Sequence, residues 1–222
     1  MNEAGPGRRE ENKRRTHDAL VEAAARLFRE RGYESTTVRD IAQEAGVGER
    51  TFFRYFPSKE NLIMQQVREI IPPLAEELRA RPVGEPPLTA LCEAVLEIAF
   101  RYDSPITILL VGPQPMSPDP HTRGEKALLF DLESMVAGVF LERFAAAGAV
   151  GGEPAVVATG VPRDEQLVLR ADVLARSGIA VLRAVRLTYH QLSERRRGEI
   201  DMVDFVRRAF AELGVPYEGP AA

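Results

Sequence analysis

Apolar and polar positions recur with a helical period along most of the chain. Over residues 13–31, Leu20, Ala24, Leu27 and Phe28 keep the i, i+4, i+7 spacing of one helix face, and Arg31 ends the stripe with a charge. Gly32 stops this helix, and Arg26, Arg29 and Arg31 suit the negative end of its dipole. A second helix opens at Thr37, where Thr37-x-x-Asp40 is a near match to a capping box and Ile41, Ala42 and Ala45 face inward. Gly46-Val47-Gly48 reads as a turn and residues 49–56 as a short, aromatic-rich helix stopped by Pro57. Ser58 caps a fourth helix that runs to about Ala80. Pro72-Pro73 lies inside it and is expected to kink or break it, because two backbone donors are missing.

The pattern continues beyond a proline-rich linker at 81–87. Residues 88–102 form a fifth helix, 104–111 a short apolar piece of open type, and 112–120 a loop with four prolines. Residues 121–147 read as a long helix with two apolar faces, one carrying Leu128, Leu132 and Val139, the other Leu129, Val136 and Phe140. Such a helix suits the centre of a bundle. After a Gly/Pro-containing loop at 148–162, a second long helix spans 164–197 and a last one 199–213, with Met202, Val206, Ala209, Phe210 and Leu213 on one face. The expected fold is all-α. A polar, disordered arm covers 1–12, a unit of three helices 13–57, and a larger helical unit 58–222.

Composition agrees with a helical chain: Ala, Leu, Arg and Glu are abundant, and strand-forming residues sparse. The 222 residues are enough to bury a useful core. Net charge is −4, but it is unevenly spread: residues 1–60 carry 12 Lys+Arg against 11 Asp+Glu, and the remainder 17 against 22. DNA affinity needs a local basic face, not a basic whole. Cys92 is the single cysteine, so no disulfide forms within the chain, and its apolar surroundings suit a buried structural thiol. No leader-like or membrane-length apolar run is present, which points to the cytoplasm and to no membrane partner.

The chemistry sits between Thr36 and Lys59. Two short helices joined by a tight turn match the shape whose second helix enters the DNA major groove. Ala42 is small where the helices touch, Gly46 can take the positive φ that the turn requires, and Phe52 plugs the second helix into the core. An enzyme lacks an inventory here: no Walker-type loop, no GxGxxG and no GxSxG occurs. Asp119, His121 and Glu125 lack regular metal-ligand spacing, so neither metal nor cofactor is expected. A helical interaction module that binds no DNA is the alternative reading; it predicts no salt-dependent DNA binding.

The run GYESTTVRDIAQEAGVGERTFFRYFPSKENLI resembles the N-terminal domain of the TetR family of transcriptional regulators. The resemblance covers residues 14–67. It rests on Gly32-Tyr33, Thr36-Thr37, Ile41-Ala42, Ala45-Gly46-Val47, Thr51, Tyr55-Phe56 and Ser58-Lys59-Glu60-Asn61-Leu62. It implies a homodimer of about nine helices per subunit, with 13–57 as a helix-turn-helix DNA-binding domain on a palindromic operator in double-stranded DNA and 58–222 as a helical effector-binding and dimerisation domain. Release by a small-molecule effector, and repression rather than activation, are the family's usual mode.

Carried over by position, the DNA-binding residues are Thr37, Arg39, Gly48, Glu49, Arg50, Thr51, Phe53, Arg54, Tyr55 and Lys59. Arg50 is the first choice for a guanine contact, because its fork matches O6 and N7. Lys59 combines charge with a helix N-terminus, a phosphate site. Three positions depart from the family pattern: Tyr is frequent at Phe53, His at Tyr55, and Lys or a polar residue at Glu49. For the effector, Phe100, Tyr102, Met116, Phe130 and Met135 are candidate lining residues, suited to an apolar or aromatic ligand. The dimer is expected through the last two long helices, where Ala171, Ala175, Gly178 and Ala184 permit close approach.

Overall fold

The computed structural model describes residues 7–33, 35–102, 123–150 and 163–216. Every regular element among them is a helix: α1 (Gly7–Arg31), α2 (Val38–Glu44), α3 (Glu49–Tyr55), α4 (Lys59–Ala80), α5 (Pro87–Tyr102), α6 (Arg123–Val150), α7 (Arg163–Gln191), α8 (Glu194–Glu199) and α9 (Met202–Ala211). The protein is all-α. Contacts divide it into two compact units, Met1–Gln66 and Val67–Ala222, so the boundary falls within α4.

In the first unit the apolar stripe of α1 meets α2 and α3. Leu20, Ala23, Ala24 and Leu27 are buried with Ile41, Ala42, Phe52, Phe56 and Leu62. Burying nine such side chains in so short a segment is what fixes the mutual angles of these helices. α1 begins at Gly7, so residues 7–12 extend the helix instead of forming an arm. The stretch is rich in Arg and Glu, which hold helix well, and Glu10 lies in the positive first turn.

In the second unit the centre is α7, which meets α5, α6 and α9, and not α6 as its two apolar faces suggested. Leu132, Val136, Val139 and Phe140 are buried against α4, α5, α7 and α9 residues in one cluster. Cys92 is inside this cluster, and burial together with the Glu93 carboxylate pushes its thiol up to about 12. It is an inert packing residue.

Three sequence expectations are corrected. Of the kink or break expected at Pro72-Pro73, the break does not occur: α4 is one helix from Lys59 to Ala80. The carbonyls deprived of donors, those of residues 68 and 69, belong to exposed positions where water can serve them. The long helix expected to reach Arg197 stops at Gln191, and Ser193, in extended backbone, starts the separate α8. The Arg197 Nε donates to the Leu192 carbonyl at 3.0 Å, which satisfies the end of α7. Finally, α9 starts at Met202, because Asp201 caps it by accepting from the Val203 and Asp204 amides at 2.9 and 3.2 Å.

The small residues of α7 also have an internal use. Ala171 and Ala175 are 2% and 0% exposed. A Cβ added at Gly178 would lie 2.4 Å from Leu91 Cδ2. This stripe lets α7 approach α5 of the same chain, while Ala184 alone of the four is exposed.

Candidate nucleic-acid interface

The interface is built from α2, the turn after it, and α3. Thr37 caps α2 as the spacing predicts: its Oγ1 accepts from the Asp40 amide at 3.1 Å, and the Asp40 carboxylate accepts from the Thr37 amide at 2.9 Å. The hydroxyl proton also goes to Asp40 Oδ2, at 2.7 Å. These bonds from the Thr37 hydroxyl and amide, aided by Arg31 and Arg39, hold the Asp40 carboxyl below the usual carboxylate range. The Thr37 hydroxyl is thereby occupied as a cap.

Gly46 has φ +69°, the left-handed turn conformation expected of it. The Val47 amide reaches back to the Ala42 carbonyl at 2.9 Å, closing α2. Gly48, in extended backbone, then starts α3 and accepts from the Thr51 amide at 2.8 Å. Phe52 is fully buried and packs against Phe56 with ring centroids 5.7 Å apart, so α3 is pinned by one side and free on the other.

The free side carries most of the expected DNA-binding set. Arg39, Gly48, Glu49, Arg50 and Arg54 are exposed, as is Thr37, and Phe53 is 52% exposed. Thr51 and Tyr55 are half-buried. Among the described residues no carboxylate lies within ion-pair distance of Arg39, Arg50 or Arg54, and Glu49 does not pair with Arg50. Arg54 lies 5.3 Å from the Tyr55 ring, and Phe53 meets the edge of Phe52. Arg39, Arg50 and Arg54 are thus exposed cations that no carboxylate among the described residues neutralises, in a chain that is acidic overall.

Lys59 is placed differently from the other nine. Its Nζ donates to the carbonyls of Tyr33 and Thr36, both at 2.8 Å, and sits 3.7 Å from the Tyr33 ring centroid. It holds the α1–α2 connection, and the Tyr33 hydroxyl in turn donates to the Glu60 carboxylate. Burial alone would raise Glu60, but hydrogen bonds from Ser58 and Tyr33 outweigh it and hold the carboxyl below its ordinary value.

Two further residues in this unit have roles that spacing does not announce. Thr36 is fully buried, and its hydroxyl donates to the Gly32 carbonyl at 2.8 Å, locking the turn whose Gly32 has φ +78°. His17 lies 5.1 Å from the Phe56 ring and 2.7 Å from the Gln65 amide nitrogen, so α1 and the start of α4 are joined behind α3.

With this geometry in view, the relatives can be placed. The family "Bacterial regulatory proteins, tetR family" matches residues 20–65. Residues 20–65 are thus a TetR-family N-terminal domain. The chain is 44% identical over 97 residues to the HTH-type transcriptional regulator TcmR of Streptomyces glaucescens, covering 44% of this chain and 43% of that one. It is 36% identical over 84 residues to the HTH-type transcriptional repressor AcnR of Corynebacterium glutamicum, covering 38% and 42%. The chain thus spans less than half the length of these two relatives. In fold it resembles a TetR/AcrR-family transcriptional regulator from Thermobifida fusca, with TM-score 0.52, 21% identity, and 93% of this chain and all of that one covered. A regulator from Aquifex aeolicus gives TM-score 0.51 at 19% identity, covering 90% and 98%. TetR-family regulators pair an N-terminal helix-turn-helix with a helical C-terminal part, the order seen in this chain.

The residues expected to line an effector pocket do not converge on the open cavity of the second unit. Phe100 is 87% and Phe130 61% exposed, and Met135 is half-buried against the core. The Tyr102 side chain and Met116 lie outside the described residues. The cavity, about 650 Å³, is lined instead by the start of α5, the first half of α7 and the segment after α9. No described helix is long and apolar enough to cross a membrane.

Proposed function

We propose that this protein is a ligand-responsive transcriptional regulator, acting as a repressor that binds a palindromic operator as a homodimer and is released by a small-molecule effector. Residues 13–57 read the DNA and the chain from 58 onward holds the effector and the dimer contact. The observation that carries this reading is the face of α2 and α3: Arg39, Arg50 and Arg54 stand exposed, without carboxylate partners, around a helix pinned by Phe52. Such a surface matches phosphate and base edges and offers nothing to a catalytic reaction. Arg50 reads a base, Arg39 and Arg54 meet phosphate, and Gly48, Glu49, Thr51, Phe53 and Tyr55 shape the contact. Thr37, as the cap of α2, and Lys59, which holds the α1–α2 connection, support it.

The dimer reading is supported on α7, where Ala180 and Ala184 are exposed one turn apart, ahead of half-buried Leu187. Small side chains at this spacing let a second helix approach closely. Light scattering is expected to give twice the chain mass.

The test is direct. A preferred duplex is selected from a random library, and binding is followed by fluorescence anisotropy against salt. Arg50→Ala is expected to weaken binding by about 1–3 kcal/mol, concentrated at one base pair. Arg54→Ala is expected to weaken all sequences alike and to lower the salt slope by about one. If no duplex is enriched and no salt-dependent binding occurs, the reading fails.

A further inference from the structure

From α2 to the start of α4 the chain carries four acidic residues, Asp40, Glu44, Glu49 and Glu60. Three of them are committed within the first unit. Asp40 closes the cap of α2, accepting from the Thr37 amide and hydroxyl at 2.9 and 2.7 Å. Glu44 pairs with Arg26 of α1. Glu60 accepts from the Tyr33 hydroxyl. Glu49 alone of the four is exposed with neither an ion pair nor a side-chain hydrogen bond among the described residues.

Glu49 opens α3 and is followed by Arg50, which is equally exposed and also without an ion pair among the described residues. In the free protein an acid in the first turn suits the positive end of the helix dipole, and Gly48 supplies no side-chain cap there. On DNA the same carboxylate is repelled by phosphate, so it lowers affinity unless a base edge gives it a donor. The major groove offers two such donors, the N4 amine of cytosine and the N6 amine of adenine. Adenine sets its N7 acceptor beside N6, against a group that can only accept, whereas cytosine presents N4 with no acceptor of its own.

We infer that Glu49 is a specificity-determining residue whose carboxylate accepts from the N4 amine of a cytosine, within one base pair of the guanine read by Arg50. This rests on the regulator reading above, in which α3 enters the major groove. Successive helix residues are about 1.5 Å apart along the axis, less than the rise of about 3.4 Å per base pair, so the two side chains reach one base pair or its neighbour. The fork of Arg50 and the carboxylate of Glu49 ask for opposite groups, acceptors on guanine and a donor on cytosine, and their charges offset each other in the groove.

Selection from a random duplex library, followed by anisotropy on single-base variants of the enriched duplex, tests this with wild type, Glu49→Gln and Glu49→Ala. Wild type is expected to enrich cytosine within one base pair of the guanine that Arg50→Ala locates. Glu49→Gln keeps the shape but can both donate and accept, so its preference at that position should move to adenine. Glu49→Ala should lose about tenfold in discrimination at that position alone, and bind an unrelated duplex more tightly because a repelled charge is gone. Both variants change an exposed residue, and thermal melting checks that they stay folded. A lower melting temperature with unchanged base preference makes Glu49 a helix-start residue only and overturns the inference. An enriched duplex read alike by all three proteins does the same and leaves the regulator reading standing; enrichment of no duplex by wild type sinks both.

Discussion

Replacing Arg143 tests how the second unit is held together. Arg143 projects from α6 and is only 6% exposed. Its Nη1 donates to the carbonyls of Leu78 at 3.3 Å and Arg81 at 2.7 Å, and its Nη2 to those of Pro82 at 2.7 Å and Glu85 at 3.2 Å. One guanidinium therefore collects an orphan carbonyl from the last turn of α4 and three from the connection to α5. Its charge also faces the negative end of the α4 dipole. Burial lowers the affinity of Arg143 for its proton, and the Glu85 carboxylate opposes that shift. The guanidinium remains charged throughout the working pH range. Arg143→Met keeps most of the stem and removes the head. The two short bonds are worth roughly 1.5–3 kcal/mol each, and the longer pair adds little. Relief of the guanidinium's desolvation returns part of this, leaving a net loss of about 3 kcal/mol. For a domain of this size, that lowers the melting temperature by about 6–12 °C. Differential scanning calorimetry reads it, and because Arg143 and all four acceptors lie in Val67–Ala222, the loss belongs to that unit's transition. Arg143→Lys is expected to lose about half as much, since one ammonium cannot span four carbonyls. A methionine variant melting within about 2 °C of wild type would refute the reasoning.

Three further outcomes follow from the same structure. Lys59→Met removes two charge-assisted bonds and a ring contact, and is expected to lower the stability of the first unit by about 2 kcal/mol. Once corrected for unfolded protein, the salt slope of DNA binding should stay unchanged; a fall of one would make Lys59 a phosphate contact. Thr37→Ala is expected to cost about 1 kcal/mol at neutral pH through loss of the α2 cap. The Asp40 carboxyl is held below its usual value in the folded chain, so its contribution is present above the unfolded pKa and is lost as pH falls below about 4. Urea titrations should therefore show the gap between wild type and Thr37→Ala narrowing at low pH, and a gap constant with pH would count against the cap. Gly178→Ala is expected to destabilise by about 1 kcal/mol in thermal unfolding, because overpacking against fully buried Leu91 outweighs the helix propensity gained.

What could be read from the chain, and what could not, divides by the range over which a residue acts. The turn at Gly46, the capping box of Thr37 and Asp40, and the plug at Phe52 obey rules that operate over a few residues, and the structure has all three. The two apolar faces of α6 were legible for the same reason, because a helical period is local. At Pro72-Pro73 the local rule overstated the break: the prolines remove donors, but the carbonyls they deprive are at exposed positions, and the helix continues. The end of α7 at Gln191 had no glycine or proline to announce it, whereas Gly198, which invited the later boundary, lies inside α8.

The residues that bind elements together left no periodic trace at all. Arg143 finds its acceptors 58 to 65 positions away, and Lys59 finds its own 23 and 26 positions away. In sequence each is one more cation near a helix end, a place where exposure is the rule. The small residues of α7 carry the same lesson in reverse. Ala171, Ala175 and Gly178 do announce a close helix approach, and the approach exists, but sequence spacing cannot say to which helix. The structure assigns that partner to α5 of the same chain. By helical spacing, exposed Leu169, Val173, Ala180 and Ala184 share the opposite face of α7, so the stripe committed to α5 leaves a second, outward one for the dimer proposed above.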